Sequence, residues 1–196
     1  SFVTMGKQVE AFEAQFAKYI GSKHAVMVNS GSSANLLAFF AIANPLVTGK
    51  APIKPGDEII VPALTWSTTI WPIIQAGAVP VLVDSDPETL QMKPEAVEAA
   101  IGPKTRAICA VHVLGNGAAN DTFKTLCDKH GLWFIEDTCE SLGVKRNGKY
   151  VGTVGDFGTY SFFFSHHITT VEGGMVVTND DDLADLLRCL RAHGWT

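Results

Sequence analysis

The chain has 196 residues, 46% of them hydrophobic and 18% charged, which suits one soluble globular domain with a full core. A formal net charge of −5 and the lack of any basic run argue against nucleic acid as a partner. No stretch approaches the roughly 20 apolar residues of a membrane span, and the N-terminus has neither a charged n-region nor an apolar h-region. Cys109, Cys127, Cys139 and Cys189 stand far apart, without a C-x-x-C pair or zinc spacing. They read as reduced thiols of a cytoplasmic protein.

Val9, Phe12, Phe16 and Ile20 keep helical spacing, with Gly21 placed to cap the end. Ala25–Val28 reads as a short buried strand. Asn29-Ser30-Gly31-Ser32-Ser33 follows, then a helix from Ala34 to about Ala43. A loop with Pro and Gly spans Lys50–Asp57. Glu58–Val61 is expected as a strand, Trp66–Gln75 as a helix and Val79–Val83 as a strand. Pro94–Ile101 predicts a helix, Ala107–Val113 a strand, Asp121–His130 a helix and Leu132–Glu136 a strand. Thr159–Phe164 and Gly174–Thr178 complete the strands, and Asp180–Ala192 closes as a helix. Strands alternating with helices predict an α/β domain with a mostly parallel sheet, and no repeat or low-complexity tract divides it.

Three segments carry chemistry. Gly31, Ser32 and Ser33 lie between a strand and a helix, where backbone N–H groups and hydroxyls suit an anion; the same residues also make an ordinary turn and N-cap. Asp137 follows the apolar run Leu132-Trp133-Phe134-Ile135, at the strand end where parallel sheets place ligands. It serves equally well to cap a turn, and Glu140 is either a second polar group of the site or surface. Trp66 stands at another strand end, able to stack on a flat ring or to fill the core. His166-His167 could suggest a metal pair, but adjacent residues diverge and no further ligand falls at suitable spacing, so no metal is expected.

The order of these segments is more specific than any one of them. Ser-Gly-Ser-Ser-Ala (30–34), Pro-Gly-Asp-Glu-Ile-Ile-Val-Pro (55–62), Trp-Ser-Thr-Thr (66–69) and Glu-Asp-Thr-Cys-Glu-Ser (136–141) precede Ser161-Phe-x-x-x-His166-His-Ile-Thr-Thr-x-Glu172-Gly-Gly. Along nearly its whole length the chain resembles the DegT/DnrJ/EryC1/StrS sugar aminotransferases, with His166 in the place of the lysine that forms a Schiff base with the cofactor. The resemblance implies a three-layer α/β sandwich, the aspartate aminotransferase-like large domain of a fold-type I pyridoxal-phosphate enzyme. Asp137 would pair with the pyridine nitrogen and Trp66 would stack on the ring. Gly31, Ser32, Ser33 and Ser161 would hold the phosphate, and Glu140 would lie beside the reacting groups. Complete enzymes of this kind are about twice as long. Ser1 is not an initiator methionine and Trp195-Thr196 ends just after a predicted helix, so residues 1–196 are expected to be the cofactor-binding large domain of a longer protein.

A histidine at this position resembles the family's nucleotide-sugar 3-dehydratases. An imidazole cannot condense with an aldehyde, yet it moves protons near neutral pH. The resemblance implies pyridoxal or pyridoxamine 5′-phosphate and removal of the C3 hydroxyl of a nucleotide-linked 4-keto-6-deoxyhexose in deoxysugar biosynthesis. Glutamate would be the amino donor, and a homodimer would share the active sites, with His166 as base. A GDP-linked branch uses the pyridoxal cofactor alone; a CDP-linked branch adds an iron–sulfur cluster and a reductase. An aminotransferase working without its lysine and a catalytically idle relative are the other readings.

Overall fold

In the computed structural model, which describes residues 5–195, the elements alternate along the chain. They are α1 (Lys7–Ile20), β1 (His24–Val28), α2 (Gly31–Ala43), β2 (Glu58–Pro62), α3 (Ser67–Gln75), β3 (Val79–Val83), α4 (Pro94–Ala100), β4 (Thr105–Val111), α5 (Asn120–His130) and β5 (Trp133–Asp137). There follow β6 (Lys145–Arg146), β7 (Lys149–Tyr150), β8 (Phe157–Ser161), β9 (Gly174–Thr178) and α6 (Asp181–Arg191). A seven-stranded sheet has the order β1-β9-β8-β5-β4-β2-β3, with β9 antiparallel to both neighbours and parallel pairing from β8 to β3. The expected mostly parallel sheet is present. Ser1 and Thr196, on which the reading of cut ends rests, lie outside the described residues.

Side chains alternate across this sheet, and each face buries one set. Ile59, Val61, Cys109, Trp133, Ile135, Phe157 and Val176 pack with Ala38, Phe39 and Ile42 of α2, Ile73 of α3 and Leu183 and Leu187 of α6. On the opposite face Ile60, Ile108, Ala110 and Phe134 meet Val97 of α4 and Phe123 and Leu126 of α5. Phe16 and Ile20 of α1 extend that second layer over Ala25, Tyr160, Met175 and Val177. The result is three layers, helices on both faces of one sheet. Each large apolar side chain fully buried this way contributes about 1.5–3 kcal/mol.

The local punctuation has clear causes. Gly21 ends α1 with φ 78°, and Gly131 ends α5 with φ 66°, both left-handed caps that glycine adopts without penalty. Helix α2 starts at Gly31, three residues before the expected Ala34, because the Ser30 hydroxyl accepts the Ser33 N–H and caps the first turn. The expected strand Thr159–Phe164 instead runs Phe157–Ser161, beyond which the chain leaves the sheet toward the cleft described below. The strand expected over Ala107–Val113 ends at Val111 and is followed by a 3₁₀ turn, Val113–Gly115. The hairpin β6–β7 was not foreseen; its two-residue strands are too short for a period-2 pattern to register.

Candidate active site

The C-terminal ends of β1, β2, β4, β5 and β8 point the same way, and the loops after them enclose a cleft of about 800 Å³. This is the edge at which open parallel sheets place ligands. Among the residues proposed from sequence, Gly31, Ser32, Trp66, Asp137, Glu140, Ser161 and His166 all line it. Ser33 does not; its N–H and hydroxyl are engaged with the Ser30 hydroxyl at 3.0 and 3.1 Å.

One end of the cleft favours negative charge. The first turn of α2 contains no acidic residue, and the free N–H groups of that turn face outward from the positive end of the helix dipole. Gly31 is needed there on steric grounds. A Cβ at Gly31 would come within 2.5 Å of the Ser161 Cβ and 2.9 Å of the Cys139 Sγ. Gly174 plays the matching part at the start of β9, where a Cβ would collide with the Ser30 carbonyl oxygen.

Asp137 stands at the other end, buried at the tip of β5. Its Oδ2 accepts from Asn35 Nδ2 and from Thr69 Oγ1, both at 2.8 Å, and its Oδ1 accepts from the Cys139 N–H at 3.1 Å. Asn35 in turn accepts from Thr159 Oγ1 at 2.6 Å. Sequence reasoning missed Asn35, Thr69 and Thr159. Asn35 left a signal, being the one polar residue in the run Ala34–Ala43; Thr69 lay inside the Trp-Ser-Thr-Thr segment but drew no role. The neighbouring Cys139 thiol is pushed well above its ordinary value, first by burial and then by the Asp137 charge. It therefore stays protonated and is a poor nucleophile.

Beneath the site lies a second buried carboxylate. Glu136 accepts from His112 Nε2 (3.1 Å), Asn120 Nδ2 (3.2 Å) and the Gly152 N–H (3.0 Å) at one oxygen, and from the Val154 and Gly155 N–H groups (2.8 and 2.6 Å) at the other. His112 Nδ1 accepts the Ala118 N–H at 3.0 Å, so the ring donates to Glu136 through Nε2. Burial would raise the Glu136 pKa, but the His112 hydrogen bond and the Gly155 and Gly152 amides outweigh it and hold the group below the ordinary carboxylate range. Glu136 thereby anchors the loops on either side of the strand that presents Asp137.

The mouth is apolar and open. Trp66 precedes α3 and is 69% exposed, and Phe164, on the loop that carries His166, is 68% exposed. Glu140 accepts the Leu114 N–H at 3.0 Å through one oxygen, which ties the loop after β4 to the cleft wall. His166 sits in a turn closed by its own N–H to the Phe163 carbonyl at 3.0 Å. The loop that carries it is held at its base by Phe162 N–H to Gly173 O and Thr170 N–H to Phe162 O. Among the described residues its imidazole has no hydrogen-bond partner, and no lysine lines the cleft.

A family model described as the DegT/DnrJ/EryC1/StrS aminotransferase family matches residues 1–196. The chain is 48% identical over 193 residues to the GDP-4-keto-6-deoxy-D-mannose 3-dehydratase of Yersinia pseudotuberculosis, covering 98% of this chain and 48% of that protein. Two solved structures of GDP-4-keto-6-deoxymannose-3-dehydratase are similar in fold. One, with a trapped PLP-glutamate geminal diamine, has a TM-score of 0.92 at 46% identity, covering 98% of this chain and 49% of that one. The other, a histidine-to-asparagine variant with bound GDP-perosamine, has a TM-score of 0.91 at 47% identity with the same coverage. The chain thus spans about half the length of the curated relatives it matches.

Proposed function

The chain belongs to the DegT/DnrJ/EryC1/StrS aminotransferase family, and from that premise we propose that it is the cofactor-binding large domain of a pyridoxal-phosphate-dependent sugar 3-dehydratase. Its substrate is a GDP-linked 4-keto-6-deoxyhexose, from which it removes the C3 hydroxyl. The observation that carries this reading is His166 at a cleft that, among the described residues, no lysine lines. The similarity to GDP-4-keto-6-deoxy-D-mannose 3-dehydratases supports it and favours the GDP-linked branch.

The residues present fit the cofactor. A phosphate suits the N-terminus of α2, where Gly31 leaves no room for a side chain and Ser161 borders it. Ser32 lines the same end, and Ser33 contributes by fixing the turn. Asp137 offers its carboxylate to a ring nitrogen, and Trp66 offers a flat face. The pyridoxamine form, when bound, supplies an amine for the sugar ketone and an electron-withdrawing ring. His166 takes up a proton at an imidazole nitrogen and delivers one to the C3 oxygen, which leaves as water. Glu140, beside it in the cleft wall, keeps one oxygen for the Leu114 N–H and can turn the other to the sugar.

Glutamate is the amino donor and the reductant in this reading. It loses two electrons to become 2-oxoglutarate and ammonia while the sugar C3 gains two, so the net reaction balances without added oxidant. The exposed Trp66 and Phe164 support a homodimer in which a second copy closes the mouth. The experiment is a mass measurement of product and an ammonia assay, using the native-length protein with pyridoxal phosphate, glutamate and GDP-4-keto-6-deoxymannose. A 3,6-dideoxy keto sugar with ammonia is expected; an amino sugar overturns the reading. His166→Lys is expected to shift product toward the amino sugar, because an amine restores covalent attachment to the aldehyde.

A further inference from the structure

We propose that Asn35, oriented by Thr159, is a positioning residue that fixes how Asp137 presents its carboxylate to the cleft, and that it acts as one unit with the phosphate end of helix α2. This rests on the reading that the cleft holds a pyridine cofactor whose nitrogen faces Asp137.

A carboxylate has about four lone-pair directions. Asn35 and Thr69 fill both on Oδ2, and the Cys139 N–H fills one on Oδ1. With Oδ2 filled on both sides, Oδ1 is the oxygen left for a ligand. A side-chain amide could offer Asp137 either its oxygen or its nitrogen. An ionised carboxylate only accepts, so it selects Nδ2, and the Thr159 hydroxyl completes the arrangement by donating to the Asn35 Oδ1 left over, at 2.6 Å. Thr159 and Asp137 are in-register partners on β8 and β5, so the amide bridges the tip of β5 and the middle of the neighbouring β8. All three side chains are buried, and a hydrogen bond to a charged acceptor away from water is directional and strong.

Gly31 and Asn35 are four residues apart in α2 and lie on one helix face. The helix that presents its N-terminus at one end of the cleft thus also grips the carboxylate at the other. A rigid helical turn sets the spacing between the two.

The test uses the native-length protein loaded with pyridoxal phosphate labelled with ¹⁵N in the ring, reading the ring-nitrogen chemical shift at fixed pH and the cofactor dissociation constant. Asn35→Leu is expected to move the ring signal toward the unprotonated value and to weaken binding about 10-fold. Thr159→Val is expected to move both in the same direction by less, and Thr159→Ser to restore them. A folded Asn35→Leu or Thr159→Val protein with the wild-type ring signal overturns the inference; if Asn35→Leu does not fold, the Thr159 pair decides. If the unsubstituted protein binds no pyridoxal phosphate, or Asp137→Asn leaves the ring signal unmoved, it is the cofactor-site reading that falls and this inference with it.

Discussion

At Gly31 the difference between a hydrogen and a methyl group decides whether the cleft can form. The space a Cβ would need is filled by Ser161 and Cys139, and neither can retreat, since one ends a central strand and the other follows Asp137. Gly31→Ala is therefore expected to cost about 1–3 kcal/mol of stability through overpacking, and to weaken cofactor binding more than Ser32→Ala does. Thermal unfolding and a cofactor titration check both expectations. In the proposed function His166 is the opposite case, a residue that acts through chemistry rather than packing. Its imidazole lies edge-on to the Phe163 ring and has no hydrogen-bond partner among the described residues, and replacing it should change the product far more than the stability. Equal loss of stability and activity in His166→Asn would contradict this.

Helix α2 shows why an element can be legible and its purpose hidden. Its Ala38, Phe39 and Ile42 are buried against the sheet, α3 and α6, while Leu36 and Phe40 stay exposed, and its beginning is set by the Ser30 cap. Ser30→Ala should cost about 1 kcal/mol, measurable by urea unfolding. Ser30 and Gly31 were readable as a strand-to-helix turn from sequence. The role of Asn35 was not, because an amide in an apolar helix says only that some partner exists. Asp137, Thr69 and Thr159 come from 102, 34 and 124 positions away in the chain, and no local pattern links them. The loop after β8 likewise looked like strand, since Phe162, Phe163 and Phe164 are strand formers; tertiary bonds from Phe162 to Gly173 and Thr170 turn it out of the sheet instead.

At the scale of the molecule the site depends on several loops being pinned to one end of the sheet, and Glu136 is the chief pin. Its five donors come from β4's successor loop, α5 and the segment 152–155. Glu136→Gln leaves some of those donors facing an N–H and should cost about 3 kcal/mol at pH 7. The sign of the pH dependence is fixed by the lowered pKa. The carboxylate's contribution is complete above its ordinary value of 4.5 and disappears as pH falls through the lower folded value. The gap in unfolding free energy between the parent and Glu136→Gln should therefore narrow below about pH 4.5, and a constant gap down to pH 2 would contradict the assignment. What the sequence determined by itself was the alternation of strands and helices and the segments at the strand ends, because these follow from local periodicity and turn chemistry. Only the tertiary structure decided that the Asp137 carboxylate is held by Asn35 and Thr69, that Ser33 serves the turn, and that Glu140 is half spent on Leu114. Those choices depend on which distant groups meet when the sheet closes, where buried donors and acceptors must find partners.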